Sequence, residues 1–206
     1  MTDRKISVIV FDLGNVLLPF NYDVVIERFN KVSSGLGDKF VESYRKNYQI
    51  HRSFERGDIT EEEFLDNMMN LLEHKVDKEK FCSDFSKIFT VNKKVAALLP
   101  ELKKKYLLVL LSNTNSIHEE YGWKNNDFLK YFDKLILSHK VNAVKPEQKI
   151  YKAVEAFTKK PPAEHIFVDD IAEYVKGAKN AGWDAVQYTG YEKLVNDFER
   201  RGILQG

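Results

Sequence analysis

From Val8 to Phe11 the chain runs through apolar residues without a polar break, and the run stops at Asp12. A continuous β-branched and aromatic run of this kind suits a central parallel strand buried on both faces, whereas an edge strand would alternate. Asp12 then emerges at the strand's carboxyl end. Further short apolar runs at 106–111, 134–137, 165–168 and 185–188 read as strands. Between them apolar positions recur at helical spacing: Val95, Leu98, Leu99 and Leu102 on one face, Ile150, Val154 and Phe157 on another. Val175, Ala178 and Ala181 make a third, closed by Gly182 as a C′ residue. Strand and helix thus alternate from about residue 92 onward, which predicts a doubly wound parallel sheet with helices on both faces.

The stretch from about 20 to 90 breaks this alternation, because it holds several helical patterns and no convincing strand. Thr60-Glu61-Glu62-Glu63 reads as a capping box, followed by a buried stripe of Phe64, Met68, Leu71 and Leu72. A second helix is expected over 78–89, and weaker ones near 24–29 and 39–48. The expected organisation is an α/β core from 1–19 and 91–206, with 20–90 as an all-α cap subdomain over the carboxyl ends of the strands.

At 206 residues and 43% hydrophobic content the chain can bury a sizeable core. A net charge of +1 gives no field that draws in nucleic acid or a membrane, so a small molecule is the expected partner. No apolar run approaches membrane-spanning length, and Met1-Thr2-Asp3-Arg4-Lys5 leads straight into the first strand with no room for a signal peptide. A cytoplasmic location is the expectation. Cys82 is the single cysteine, which excludes an intrachain disulfide and a thiolate cluster, and Phe81 and Phe85 beside it suggest a buried structural position.

Candidate chemistry gathers at the strand ends, where open α/β sheets bind ligands. Asp12 is a site for chemistry or a turn cap, and Gly14 permits close backbone approach. Leu110-Leu111-Ser112-Asn113-Thr114-Asn115 brings a hydroxyl and amides to the same edge, as an anion nest or as a helix cap. Lys145, in Val144-Lys145-Pro146, is a cation for the site or a solvated surface charge. Asp169 and Asp170 end a buried strand as adjacent acids, which repel unless a cation is nearby. A hard ion with oxygen ligands, best Mg²⁺, would relieve them. Dinucleotide binding is excluded, since Gly14-Asn15-Val16 is no G-x-G-x-x-G turn and Gly35-Leu36-Gly37 lies in the helical insertion.

Acid, hydroxyl, lysine and paired acids, in this order, resemble the four motifs of the haloacid dehalogenase-like (HAD) hydrolase superfamily at Asp12, Ser112, Lys145 and Asp169-Asp170. The insertion resembles its type 1 cap. Phe-Asp-Leu-Gly-Asn-Val at 11–16, Glu-Arg-Gly-Asp-Ile at 55–59, Ser-Asn-Thr-Asn at 112–115 and Lys-Pro-Glu at 145–147 are similar to the bacterial branch that includes α-D-glucose-1-phosphate phosphatases. The resemblance implies a Rossmann-like core and a Mg²⁺-dependent phosphatase in which Asp12 attacks phosphorus and forms an aspartyl-phosphate. It implies metal ligation by Asp12, the Gly14 carbonyl and Asp170 with Asp169 close by, and phosphate contacts from Ser112, Asn113, Lys145 and Asn15. Phe20, Tyr22, His51 and Arg56 are the cap candidates for substrate choice, and the other histidines read as structural or solvated. The implied partner is a small phosphorylated substrate, and the chain is expected as a monomer or weak homo-oligomer, apart from nucleic acid and membranes.

One position departs from the pattern. Phosphatases that the chain resembles carry a second aspartate two residues after the nucleophile, as the acid for the leaving group; here that residue is Gly14. General acid–base help of roughly 10² to 10⁴ in rate, or about 3 to 5 kcal/mol of barrier, loses its usual donor. The expectation is a substrate with a better leaving group, such as a sugar 1-phosphate or an acyl phosphate, or a proton supplied by the cap or the substrate. Two alternatives share the sequence: a metal-independent 2-haloacid dehalogenase, against which the Asp169-Asp170 pair speaks, and a catalytically silent binding protein on the same fold.

Overall fold

The apolar run after Ser7 forms β1 (Val8–Phe11), with every residue buried. In the computed structural model, which describes residues 5–204, it is joined by β2 (Leu107–Ser112), β3 (Lys134–Leu137), β4 (His165–Asp169) and β5 (Asp184–Gln187). The residues read above as excluding a leader, apart from Lys5, lie outside the described ones. All neighbouring strands are parallel, in the order β3-β2-β1-β4-β5. β1 is central: Phe11 faces Leu110 of β2 on one side and Val168 of β4 on the other. The chain moves outward from β1 in one direction and then returns to its other side, so the carboxyl edge beside β1 is the switch point where such sheets bind ligands.

After β1 the chain enters five helices before residue 90: α1 (Asp23–Val32), α2 (Leu36–Lys46), α3 (Tyr48–Arg56), α4 (Glu61–Leu71) and α5 (Lys78–Ser86). Their buried rings and aliphatic chains, among them Phe29, Phe40, Phe64, Met68, Phe81 and Phe85, share one apolar cluster. The capping box forms as expected at Thr60 and Glu63. Cys82 is buried in this cluster, and burial pushes its thiol up to about 11, so it is inert packing. A Cβ on Gly37 would come 2.1 Å from the Ile26 carbonyl oxygen, so α1 and α2 pack backbone to backbone there. The helix expected near 39–48 is α2, which ends at Lys46, and a further helix, α3, follows from Tyr48 where none was expected.

The remaining helices are α6 (Lys93–Ala96), α7 (Leu99–Lys103), α8 (Ser116–His118, continued as a wider turn through Trp123), α9 (Ser138–Val141), α10 (Gln148–Thr158), α11 (Ala172–Asn180) and α12 (Tyr191–Glu199). Alternate β1 residues serve opposite faces of the sheet. Ile9 and Phe11 join Leu99, Leu102, Leu194 and Phe198, whereas Val8 and Val10 join Ile150, Val154, Val175 and Ala178. The face expected at 95–102 is split between α6 and α7, because Pro100 lacks an N–H and is accommodated only in a first turn. Phe157 is exposed, and Tyr151 fills the α10 face in its place against Phe167 and Trp183. Gly182, at φ +89°, closes α11 as the expected C′ residue: its N–H donates to Lys179 O and that of Trp183 to Ala178 O. Among the described residues no helix is long and apolar enough to cross a membrane.

Candidate active site

Parallel register brings Asp12, Ser112 and Asp169 to one edge, because Asp12 follows β1 and the other two end the strands paired to it. Lys145 reaches them from the loop between α9 and α10. It is 1% exposed, with its ammonium 2.7 Å from Asp12 Oδ1 and donating to Asp169 Oδ2 at 2.6 Å. The rings of Phe167 and Tyr174 lie within cation–π range of it. Lys145 is thus a buried cation among acids, not a solvated surface charge. Asn113 clasps its backbone: Lys145 N donates to Asn113 Oδ1 at 2.8 Å and Asn113 Nδ2 donates to Lys145 O at 3.2 Å. Ser112 is buried, and its hydroxyl donates to Asn113 O. Asp170 Oδ2 accepts from Asn15 Nδ2 at 3.0 Å, which engages the amide expected against phosphate.

Carboxylate oxygens of Asp12, Asp169 and Asp170 lie within 4.8 Å of one another, with a single buried ammonium among them. Burial pushes the Asp12 carboxyl up to about 7; Lys145 pulls against that and Asp169 and Asp170 add to it. Burial would also lower the Lys145 ammonium, but Asp12 and Asp169 outweigh it and keep the group charged. The surplus of negative charge and the all-oxygen donor set fit a hard divalent cation. Asp169 has both oxygens engaged already, one by Lys145 and one by the Ile171 N–H. Gly14 stands beside the nucleophile candidate: a Cβ there would be 4.0 Å from Asp12 Oδ2 and 3.3 Å from the Phe20 ring. The space a second acid would enter is partly held by Phe20. A cavity of about 260 Å³ opens from this cluster.

Residues 6–182 match the haloacid dehalogenase-like hydrolase family. The chain belongs to that family. It is 26% identical to a D-ribitol-5-phosphate phosphatase of Bacteroides thetaiotaomicron, over 87% of this chain and 90% of the relative. A HAD family enzyme of the same organism, solved with magnesium and inorganic phosphate, is 28% identical with a TM-score of 0.79, covering 92% of this chain and 98% of that one. The fold also matches an L-2-haloacid dehalogenase of Xanthobacter autotrophicus at 21% identity and a TM-score of 0.64, over 97% of this chain and 85% of that one.

In this haloacid dehalogenase-like hydrolase the far wall of the cavity comes largely from the insertion. Phe20, Tyr22 and His51 line it as expected, but Arg56 does not. Arg56 is exposed and pairs instead with Glu147 and Asp58. Arg52 and Glu55 of α3, and His118 of α8, line the wall and were not singled out. The signal for Glu55 was a His-x-x-x-Glu spacing that puts it on one helical face with His51, whose Nε2 lies 3.2 Å from Glu55 Oε1.

His118, expected to be structural or solvated, is 5% exposed and lines the cavity. Burial, with His51 adding to it and Glu55 opposing, pushes its pKa from 6.5 down to about 3. Below pH 6.5 the unfolded chain takes up a proton that the folded one refuses. Stability contributed by this group is therefore lost as pH falls from about 6.5 toward 3, at up to about 1.4 kcal/mol per pH unit. Urea midpoints across this window should fall less steeply in His118→Gln than in the wild type; equal slopes would refute the assignment.

Proposed function

We propose that the chain is a Mg²⁺-dependent phosphatase of a small phosphorylated metabolite, of the sugar-phosphate class, that works through an aspartyl-phosphate on Asp12. The observation that carries this reading is the buried Lys145 ammonium shared by Asp12 and Asp169, with Asp170 completing a three-acid cluster at the cavity floor. A metal-independent dehalogenase has no use for that cluster, and the likeness to one is a likeness of fold. Helices α1 to α5, within residues 20–90 in this reading, act as the cap.

Asp12 Oδ attacks phosphorus in line, the ester P–O bond breaks, and the leaving oxygen takes up a proton; water then cleaves the acyl phosphate and frees Asp12. Lys145 favours the ionised nucleophile and, with Ser112 and the N–H of Asn113, binds phosphoryl oxygens as charge builds on them. Asn113 positions Lys145 through its clasp, and Asn15 orients Asp170. Mg²⁺ would be held by Asp12, the Gly14 carbonyl and Asp170, and would there neutralise phosphate charge and polarise the P–O bonds. The relative's substrate, D-ribitol 5-phosphate, is the ester of a primary alcohol, whose alkoxide leaves poorly unaided. For such an ester the proton that Gly14 cannot supply has to come across the cavity, from its wall or from a substrate hydroxyl.

A panel of D-ribitol 5-phosphate, glucose 1-phosphate, acetyl phosphate and 2-chloropropionate, each with Mg²⁺ and with EDTA, tests this reading. Phosphate release that EDTA abolishes is the expected result. Chloride release in EDTA, or no phosphate from any ester, would defeat it.

A further inference from the structure

Among the described residues, the buried side-chain polar atoms without a hydrogen-bond partner are Tyr44 OH, His51 Nδ1, His118 Nε2 and Trp123 Nε1. All of these residues line the cavity that Asp12 also lines. Buried polar groups without partners are rare and costly, so their concentration in one wall marks a surface that a hydrogen-bonding ligand completes.

The neighbours assign what each atom offers. His51 turns Nε2 toward the Glu55 carboxylate at 3.2 Å, and the tautomer that donates this bond presents Nδ1 as an acceptor. Asn115 Oδ1 accepts from His118 N at 2.9 Å, which turns Asn115 Nδ2 to donate to His118 Nδ1 at 3.4 Å and leaves Nε2–H as a donor. Trp123 Nε1 only donates, and the Tyr44 hydroxyl does both. The ligand must therefore give and take hydrogen bonds in one small space. Hydroxyls do both; a carboxylate only accepts and an ammonium only donates.

Charge points the same way. Burial would raise the Glu55 carboxyl, but His51 and Arg52 outweigh it and hold the group ionised. Arg52 Nη1 donates to Glu55 Oε2 at 3.3 Å, so the two charges cancel locally. A charged leaving group would find no free counter-charge in this wall. The rings of Phe20 and Tyr22 add apolar faces against which C–H groups can lie.

We propose that Tyr44, His51, His118 and Trp123, backed by Glu55 and Arg52, form the subsite for an uncharged polyhydroxylated leaving group, so that the substrate is the phosphate ester of a polyol. This rests on the phosphatase reading above and names the chemistry of its leaving group.

The test uses the full chain with Mg²⁺ on a pentitol phosphate, pentyl phosphate, a phosphorylated aldonate of equal length and p-nitrophenyl phosphate. Calorimetry with the free pentitol runs beside it. In the wild type, kcat/KM should favour the pentitol ester over pentyl phosphate by on the order of 10² or more, and over the aldonate as well. Tyr44→Phe, which removes only a hydroxyl, should lower the pentitol-to-pentyl ratio by roughly tenfold. His51→Phe should lower it at least as much, with partial recovery in His51→Asn. The proposal is overturned if pentyl phosphate matches the pentitol ester, if the aldonate is preferred, or if the ratio is intact in both phenylalanine variants. Failure of the phosphatase reading has a different signature: no ester is hydrolysed, yet the free pentitol binds the wild type and binds Tyr44→Phe more weakly. Equal pentitol binding by wild type and variant overturns the subsite itself.

Discussion

Asp12→Asn is expected to abolish phosphate release, with kcat lower by roughly 10⁴-fold or more, while the protein stays folded. The amide has nearly the carboxylate's shape but no anionic oxygen to attack phosphorus, so no acyl phosphate forms. Stability should hold or rise, because the substitution removes one of three crowded acids and leaves Asp169 with its bond from Lys145. Rapid quench with p-nitrophenyl phosphate separates the readings: a burst in the wild type, abolished in Asp12→Asn, marks the covalent intermediate. A variant within tenfold of the wild type would remove Asp12 from the nucleophile's role. A wild type that binds Mg²⁺ and phosphate but releases no nitrophenol would instead favour the silent binding protein.

The sheet and the acid cluster were legible in the sequence for a physical reason. β1 pairs on both sides and is covered on both faces, so its residues are apolar without alternation, and the polar residue that ends such a run stands at the ligand edge. Gly182 and the Thr60 capping box were legible because a left-handed backbone and a free N–H each select few residue types. The cavity wall was not. In α3 the buried positions include His51 and Glu55 beside Phe54, so a search for apolar periodicity meets a polar face and finds no stripe. That helix carries the wall because its buried face is polar. Arg56 and Arg52 lie one turn apart on the same stripe; Arg52 lines the cavity and approaches the Lys145 carbonyl, and Arg56 passes on to Glu147. Charge alone could not separate them, since the difference lies in the distance of each turn from the sheet edge.

Lys145→Met should lose both activity and stability, and the stability loss should depend on metal. The thioether keeps most of the stem's volume but removes the ammonium that Asp12 and Asp169 share at 2.7 and 2.6 Å. Taking one partner from a buried ion pair costs about 3–5 kcal/mol, because the remaining charge is left without compensation. In EDTA the urea midpoint should fall by that equivalent. Mg²⁺ should restore more stability to the variant than it adds to the wild type, since the same three acids then face it with no competing ammonium; saturation at ~100 times Kd is worth about 2.7 kcal/mol. The pH dependence has a definite sign. Asp12 is raised from 3.8 to about 7 even with Lys145 present, so between these values the folded state holds a proton that the unfolded state has lost, and metal-free stability falls as pH rises. Without the ammonium that opposes the shift, the variant's deficit should widen toward alkaline pH and shrink toward acid. Lys145→Arg should not rescue, because a planar guanidinium fork cannot take the place of the compact ammonium that bridges both acids at 2.7 and 2.6 Å. A midpoint in EDTA equal to the wild type's, or a deficit that neither Mg²⁺ nor pH changes, would mean that Lys145 does not balance this cluster.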